Sequence, residues 1–143
     1  MYLAAIHALA SDGEAALGDA RAAVEMAADL PSVRAHALAT LAQITLRSGR
    51  AEEAATLAAE AMDLVERSDA DAGEALARMI FAEARHAVGD LAGARAAILI
   101  ARDRLHVRAA RISDRELRLS FLQRVPENAR TLDLAVAWAQ DPS

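Results

Sequence analysis

The residues best equipped for chemistry in this chain are its four histidines, His7, His36, His86 and His106, whose ring nitrogens could ligate a metal or move a proton. Their spacing argues against both. No two of them stand four apart around a glutamate, the arrangement that turns two imidazoles toward one zinc ion. Cysteine is absent, which removes thiolate ligands, thiol nucleophiles and disulfides together. The carboxylates Glu52, Glu53 and Glu83 fall in stretches of helical pattern, where a solvated face is expected before an acid/base pair. There is no glycine-rich phosphate loop with a Gly-Lys-Thr or Gly-Lys-Ser ending. The expectation is a chain without catalytic residues, metal or cofactor.

What must position any binding residues is a set of helices. Of the 143 residues, 39 are alanine, aromatics make up 3%, and β-branched residues are sparse, so summed helix propensity is high and a sheet is disfavoured. We expect an all-α fold in one domain, 1–143. Alanine buries little area at ~25 cal/mol per Å², so close helix contact must replace bulk. The formal charge of −5 speaks against a nucleic-acid partner. Residues 1–90 carry 15 acidic and 7 basic side chains, residues 91–143 carry 6 and 9, and every basic residue is arginine. The apolar opening Met1 to Ala10 is too short for the ~20 residues of a membrane span and has no basic leader. A cytoplasmic protein with no membrane contact is the expectation.

Along the chain, the pattern predicts eight helices. The first covers Tyr2 to Ala10, and Ser11-Asp12-Gly13-Glu14 reads as a capping box opening a second, which Pro31 ends near Asp29. Ser32 then caps a third, about Val33 to Arg47, with Leu38, Leu41, Ile44 and Thr45 at helical period. Gly49 closes it, and a fourth runs from Ala51 to about Glu66. Asp71 with Glu74 is a second capping signal before a fifth helix to Val88, whose stripe is Ala77, Phe81, Ala84 and Val88. After Gly89-Asp90 a sixth helix carries Leu91, Ala94, Ile98, Ala101, Leu105, Ala109 and Ile112. The box Ser113-Asp114-Arg115-Glu116 opens a seventh, and Pro126, favoured at a first helical position, opens the last.

A small residue, a core residue four on and an alanine three further recur as Ala20-Val24-Ala27, Ala54-Ala58-Ala61 and Ala94-Ile98-Ala101, offset by 34 and then 40 residues. Periods of this length signal stacked supersecondary units. With Leu38, Leu41, Ala42, Thr45 and Gly49 ahead of the middle copy, the pattern resembles the tetratricopeptide repeat (TPR), a helix-turn-helix unit. That resemblance implies a right-handed superhelical array of hairpins, in units of about 1–31, 32–69 and 70–112 with capping helices over 113–140. The run from Gly73 through Gly89-Asp90, Ile112-Ser113-Asp114, Ser120-Phe121-Leu122 and Val125-Pro126-Glu127-Asn128 to Trp138 also looks like the C-terminal end of large bacterial signalling proteins, in which such repeats follow a Ser/Thr kinase or an ATPase regulator.

The resemblance implies a function in protein-protein interaction. In such repeats the first helix of each pair lines a groove, which here puts His36, Gln43, Arg47, Met79, Glu83 and His86 on or near a peptide-binding surface. The family's clamp for a free C-terminal carboxylate is not matched, since Thr40, Leu76 and Ile80 stand where clamp residues would. Of Arg102, Arg104, Arg108, Arg111, Arg115 and Arg118, several fall three or four apart and would share a face of the sixth helix and its successor, which suits either an acidic partner or pairing with the acidic N-terminal half or with solvent. Tyr2, Leu3, Ile6 and Leu9 form an apolar edge with three open placements: against an upstream repeat, in a homodimer, or within the first hairpin. The expected partner is a protein or peptide. The alternative function is a cis-acting regulatory or oligomerisation tail of a larger signalling protein.

Overall fold

The computed structural model describes residues 2–68 and 73–140, with side chains from Asp12 onward. Within them the protein is all-helical, with seven helices and no strand: α1 (Tyr2–Met26), α2 (Pro31–Arg47), α3 (Ala51–Arg67), α4 (Glu74–Ala87), α5 (Leu91–Ala110), α6 (Arg115–Gln123) and α7 (Pro126–Ala139). Each helix from α1 to α5 packs on its successor, α2 also touches α4, and α7 packs on α4 and α5. Three helices, α2, α4 and α7, therefore stand in a row. No described helix is long and apolar enough to cross a membrane.

One helix replaces the two expected at the start. The capping signal Ser11-Asp12-Gly13-Glu14 lies inside α1, and the backbone runs through it without a turn. A cap requires its residue to leave helical geometry, and the alanine-rich segments on either side favour helix strongly enough to absorb the ~1 kcal/mol that Gly13 costs. The expected hairpin over residues 1–31 is thus a single helix. Pro31 likewise begins α2 at its first position, rather than only ending the helix before it, and Leu30 takes the N-cap site in place of Ser32. Asp114 caps α6, its Oδ1 accepting from the Leu117 N–H at 2.9 Å. The capping role expected of Asp71 lies outside the described residues.

The α2–α3 and α4–α5 hairpins close in the same way. Gly49 and Gly89 both have positive φ (83° and 91°), Arg50 N–H donates to Thr45 C=O, and Asp90 N–H donates to Arg85 C=O. These are six-to-one bonds of a Schellman stop, which satisfies carbonyls that the helix end leaves open. Forty residues separate the two turns, the same offset as the Ala54 and Ala94 stripes.

Alanine supplies the contact surfaces. Ala39 and Ala42 of α2, Ala54, Ala58 and Ala61 of α3, and Ala77 and Ala84 of α4 have no exposed surface. They pack around a few larger residues: Leu38, Met62 and Val65 in one cluster, Met79 and Ile80 in the next. A third cluster joins Ala82 of α4 and Ile98 of α5 to Leu134 and Ala135 of α7, and a fourth joins Leu17 and Ala20 of α1 to Leu41 of α2. Small residues at the crossings bring helix axes toward the lower end of the 8–10 Å range, and the dense packing leaves little room for added methylenes.

Gly73, the N-cap of α4, has φ 80°, and a Cβ there would stand 2.9 Å from His36 Cβ on α2. At Gly49, φ is also positive but the space is open. Gly49→Ala is expected to cost about 1–2 kcal/mol from left-handed strain alone. Gly73→Ala should cost measurably more, because the same strain is joined by a clash with backbone-fixed atoms. Urea unfolding of the two variants checks this, and equal losses would mean that α4 does not sit against His36.

Candidate functional site

A cleft of about 700 Å³ lies along the row of α2, α4 and α7. Its walls are Gln43, Leu46 and Arg47 from α2, Leu76, Met79 and Glu83 from α4, and Pro126, Glu127 and Arg130 from α7. Residues 43, 46 and 47 share a face because they are three and four apart on one helix, and 76, 79 and 83 repeat that spacing. Met79 is nearly buried and forms floor with Leu46 and Leu76, which are partly buried. Glu83 accepts from Arg130 Nε at 2.8 Å, across α4 and α7. Arg47 is exposed and has no ion-pair partner among the described residues.

Four of the six residues assigned to a groove, Gln43, Arg47, Met79 and Glu83, thus come together in one cleft. His36 lines a neighbouring pocket of about 220 Å³, which shares Leu76 and Glu127 with the larger one. His86 is placed differently: its ring is stacked on Trp138 of α7, centroids 4.6 Å apart and planes 4° from parallel. It holds α7 in place. Tyr2, Leu3, Ile6 and Leu9 belong to α1, but their side chains lie outside the described residues.

The α7 wall, with Pro126, Glu127 and Arg130, belongs to the stretch 113–140 expected only as a cap, and it lines the cleft. Glu83 and Arg130 are 47 residues apart, and no local pattern reports a pair at that separation. The motif Val125-Pro126-Glu127-Asn128 marked where the helix starts, yet it carried no information about which face meets α4.

The arginine face of α5 and α6 is largely engaged within the chain. Arg104 Nε donates to Glu74 Oε1 at 2.8 Å and Arg78 Nε donates to the same oxygen at 3.0 Å. Arg108 lies over the Phe121 ring at 5.5 Å, Arg118 donates to the Ile112 and Ser113 carbonyls, and Arg102 pairs with Asp103. Arg111 and Arg115 are exposed without an ion pair among the described residues. A more open depression on α3 and α4, lined by Glu52, Glu60, Asp63 and Arg85 among others, is acidic. No group of three or more potential metal ligands occurs among the described residues.

No family model, curated protein or solved structure matches the chain.

Glu74 is the buried charge that fixes α4 against α5. Burial pushes its carboxyl upward, but the hydrogen bonds from Arg104 and Arg78, with their positive charge, outweigh burial and leave the group below its ordinary value. A carboxylate whose folded pKa is depressed contributes stability that is fully present above its unfolded value, about 4.3, and is lost as pH falls through the folded value. Glu74→Gln should therefore lower stability at pH 7 by about 2 kcal/mol, less than the 3–5 for a fully buried pair because Arg104 reaches water. The variant should also flatten the fall in stability below about pH 5. Thermal unfolding from pH 3 to 7 measures both, and parallel curves for the two proteins would contradict the assignment.

Proposed function

We propose that this chain is a non-catalytic, cytoplasmic interaction scaffold, a TPR-like array whose α2–α4–α7 cleft binds a polypeptide segment of a partner protein. The observation that carries this reading is the convergence of Gln43, Arg47, Met79 and Glu83 on one cleft, with Arg47 lacking a counter-ion among the described residues. The lining combines an apolar floor with a few polar groups, as peptide grooves and ligand clefts do. Glu83 is already neutralised by Arg130, so the cation open to a ligand on the α2 side is Arg47. The segment that fits carries an apolar side chain for Leu46, Leu76, Met79 and Pro126, and a carboxylate within reach of Arg47. Rigid close-packed helices would let it bind without reordering the scaffold, which limits the entropic cost of association.

The test is a random dodecapeptide display selected on the intact chain, with each binder measured again on Arg47→Glu, Gln43→Ala and Arg67→Glu. Arg67 is an exposed residue at the end of α3 whose only partner among these contacts is Asp63, one turn away, so its loss is expected to be silent. Binders should pair an apolar residue with Asp or Glu and lose about tenfold or more in affinity on Arg47→Glu, equivalent to 1.4 kcal/mol. They should keep full affinity on Arg67→Glu. Binders indifferent to both cleft substitutions would overturn the reading.

A further inference from the structure

Among the described residues, the exposed large apolar side chains lie toward the two ends of the chain. Met26, Leu30 and Val33 stand at the α1–α2 corner, Met26 being 86% exposed, and the others lie on α5, α6 and α7, where Leu117 is 64% exposed. The central helices α3 and α4 have none. The α1–α2 corner and α6 have no direct helix packing among the described residues: α1 packs on α2 and reaches α3 through side chains such as Arg21 against Glu53, while α6 packs on α5 and α7 and its Phe121 lines a pocket with His36 of α2.

The ends also differ in charge. From Asp12 to Arg34 there are five carboxylates, Asp12, Glu14, Asp19, Glu25 and Asp29, against two arginines, Arg21 and Arg34. All five are exposed and none has an ion-pair partner among the described residues. From Arg111 to Arg124 there are four arginines against two carboxylates, and Arg111, Arg115 and Arg124 are exposed without an ion pair among the described residues. Each end therefore presents apolar side chains beside unneutralised charge, and the charges are of opposite sign.

We infer that the occupant of each end is the opposite end of a second copy of this chain. The acidic α1–α2 corner of one molecule docks on the arginine-rich α6 end of the next, with Met26 and Leu30 against the apolar face that includes Leu117. Pairing like ends would set five carboxylates against five, or arginines against arginines, and like-charge juxtaposition disfavours both symmetric arrangements. The association is heterologous, so wild-type chains add head to tail instead of closing as a two-fold dimer. It uses surfaces separate from the α2–α4–α7 cleft and stands or falls independently of peptide binding.

Sedimentation of the intact chain with two blocked variants tests this. Met26→Glu with Leu30→Glu blocks the α1 end, and Arg115→Glu with Leu117→Glu blocks the α6 end. All four positions are exposed, so both proteins should fold, with unchanged helical circular dichroism and melting. Wild type should form species larger than a dimer at low salt, weakening about tenfold or more between about 0.02 and 0.5 M salt as screening rises. Each variant alone should be monomeric, and an equimolar mixture should yield a finite one-to-one dimer, because each supplies the end that the other lacks. A wild-type chain that is monomeric at about 1 mM in low salt would overturn the inference. So would a variant that dimerises by itself, or a mixture that stays monomeric.

Discussion

The structure depends on how closely its helices approach one another. Ala39, Ala42, Ala54, Ala58, Ala61, Ala77, Ala82, Ala84 and Ala94 are fully enclosed, and each holds a position where a larger side chain would push two backbones apart. Inserting methylenes into such a site typically costs 1–3 kcal/mol, because the surrounding atoms have nowhere to go. An alanine interface gains little from area alone, about 0.8 kcal/mol per buried methylene-sized group, so dispersion between well-fitted surfaces must supply much of the cohesion. The few large residues, Leu38, Ile80 and Ile98, act as plugs between alanine faces. A scaffold of this kind has little internal slack, and the cleft along α2, α4 and α7 inherits its shape from those spacings.

Polar ties add to the alanine contacts around α4. Glu74 joins two helices by accepting from Arg78 and Arg104 on the same oxygen, and Glu83 joins two more through Arg130. Both carboxylates are on α4, the helix that touches α2, α3, α5 and α7. Arg104 and Arg130 keep about half of their side-chain surface in water, so the cost of losing either carboxylate falls mainly on the contact between helices that it makes. The His86–Trp138 stack adds a third tie from α4, again to α7. The position of α7, and so one wall of the cleft, rests on these two side-chain contacts, on the Arg95 Nε bond to the Trp138 carbonyl at 3.1 Å, and on the Leu134 and Ala135 packing.

Much of the helical layout was legible in the sequence because its signals are local. Gly49 and Gly89 stop helices where the pattern ended them, Pro126 opens α7, and the alanine stripes lie on buried faces. The misread element was also local: Ser11 to Glu14 has the composition of a cap, but whether a cap forms depends on the helix propensity to either side. The site was legible in part for a related reason. Gln43 and Arg47, or Met79 and Glu83, fall on one face by periodicity, whereas their union into a cleft depends on how α2, α4 and α7 are placed. Nothing in residues 126–130 announces that Arg130 meets Glu83, and nothing near His86 announces Trp138. Periodicity specifies a face and leaves its partner unspecified.

The short helix α6 shows what happens when its neighbours cover only part of a helix. None of its residues is buried, and it is fastened at its margins: Asp114 caps it, Arg118 bonds back to the Ile112 and Ser113 carbonyls, Arg108 covers the Phe121 ring, and Asn128 Nδ2 donates to the Phe121 carbonyl at 2.9 Å. These contacts fix where α6 lies without burying any of its side chains. A nine-residue helix is marginal alone in water, so this fastening substitutes for burial in keeping it formed. Leu117 and Leu119 then remain on the surface because the bonds that hold the helix are polar and lie elsewhere. An apolar face held rigid but uncovered loses little entropy on docking, and that property makes the α6 end suited to a second molecule.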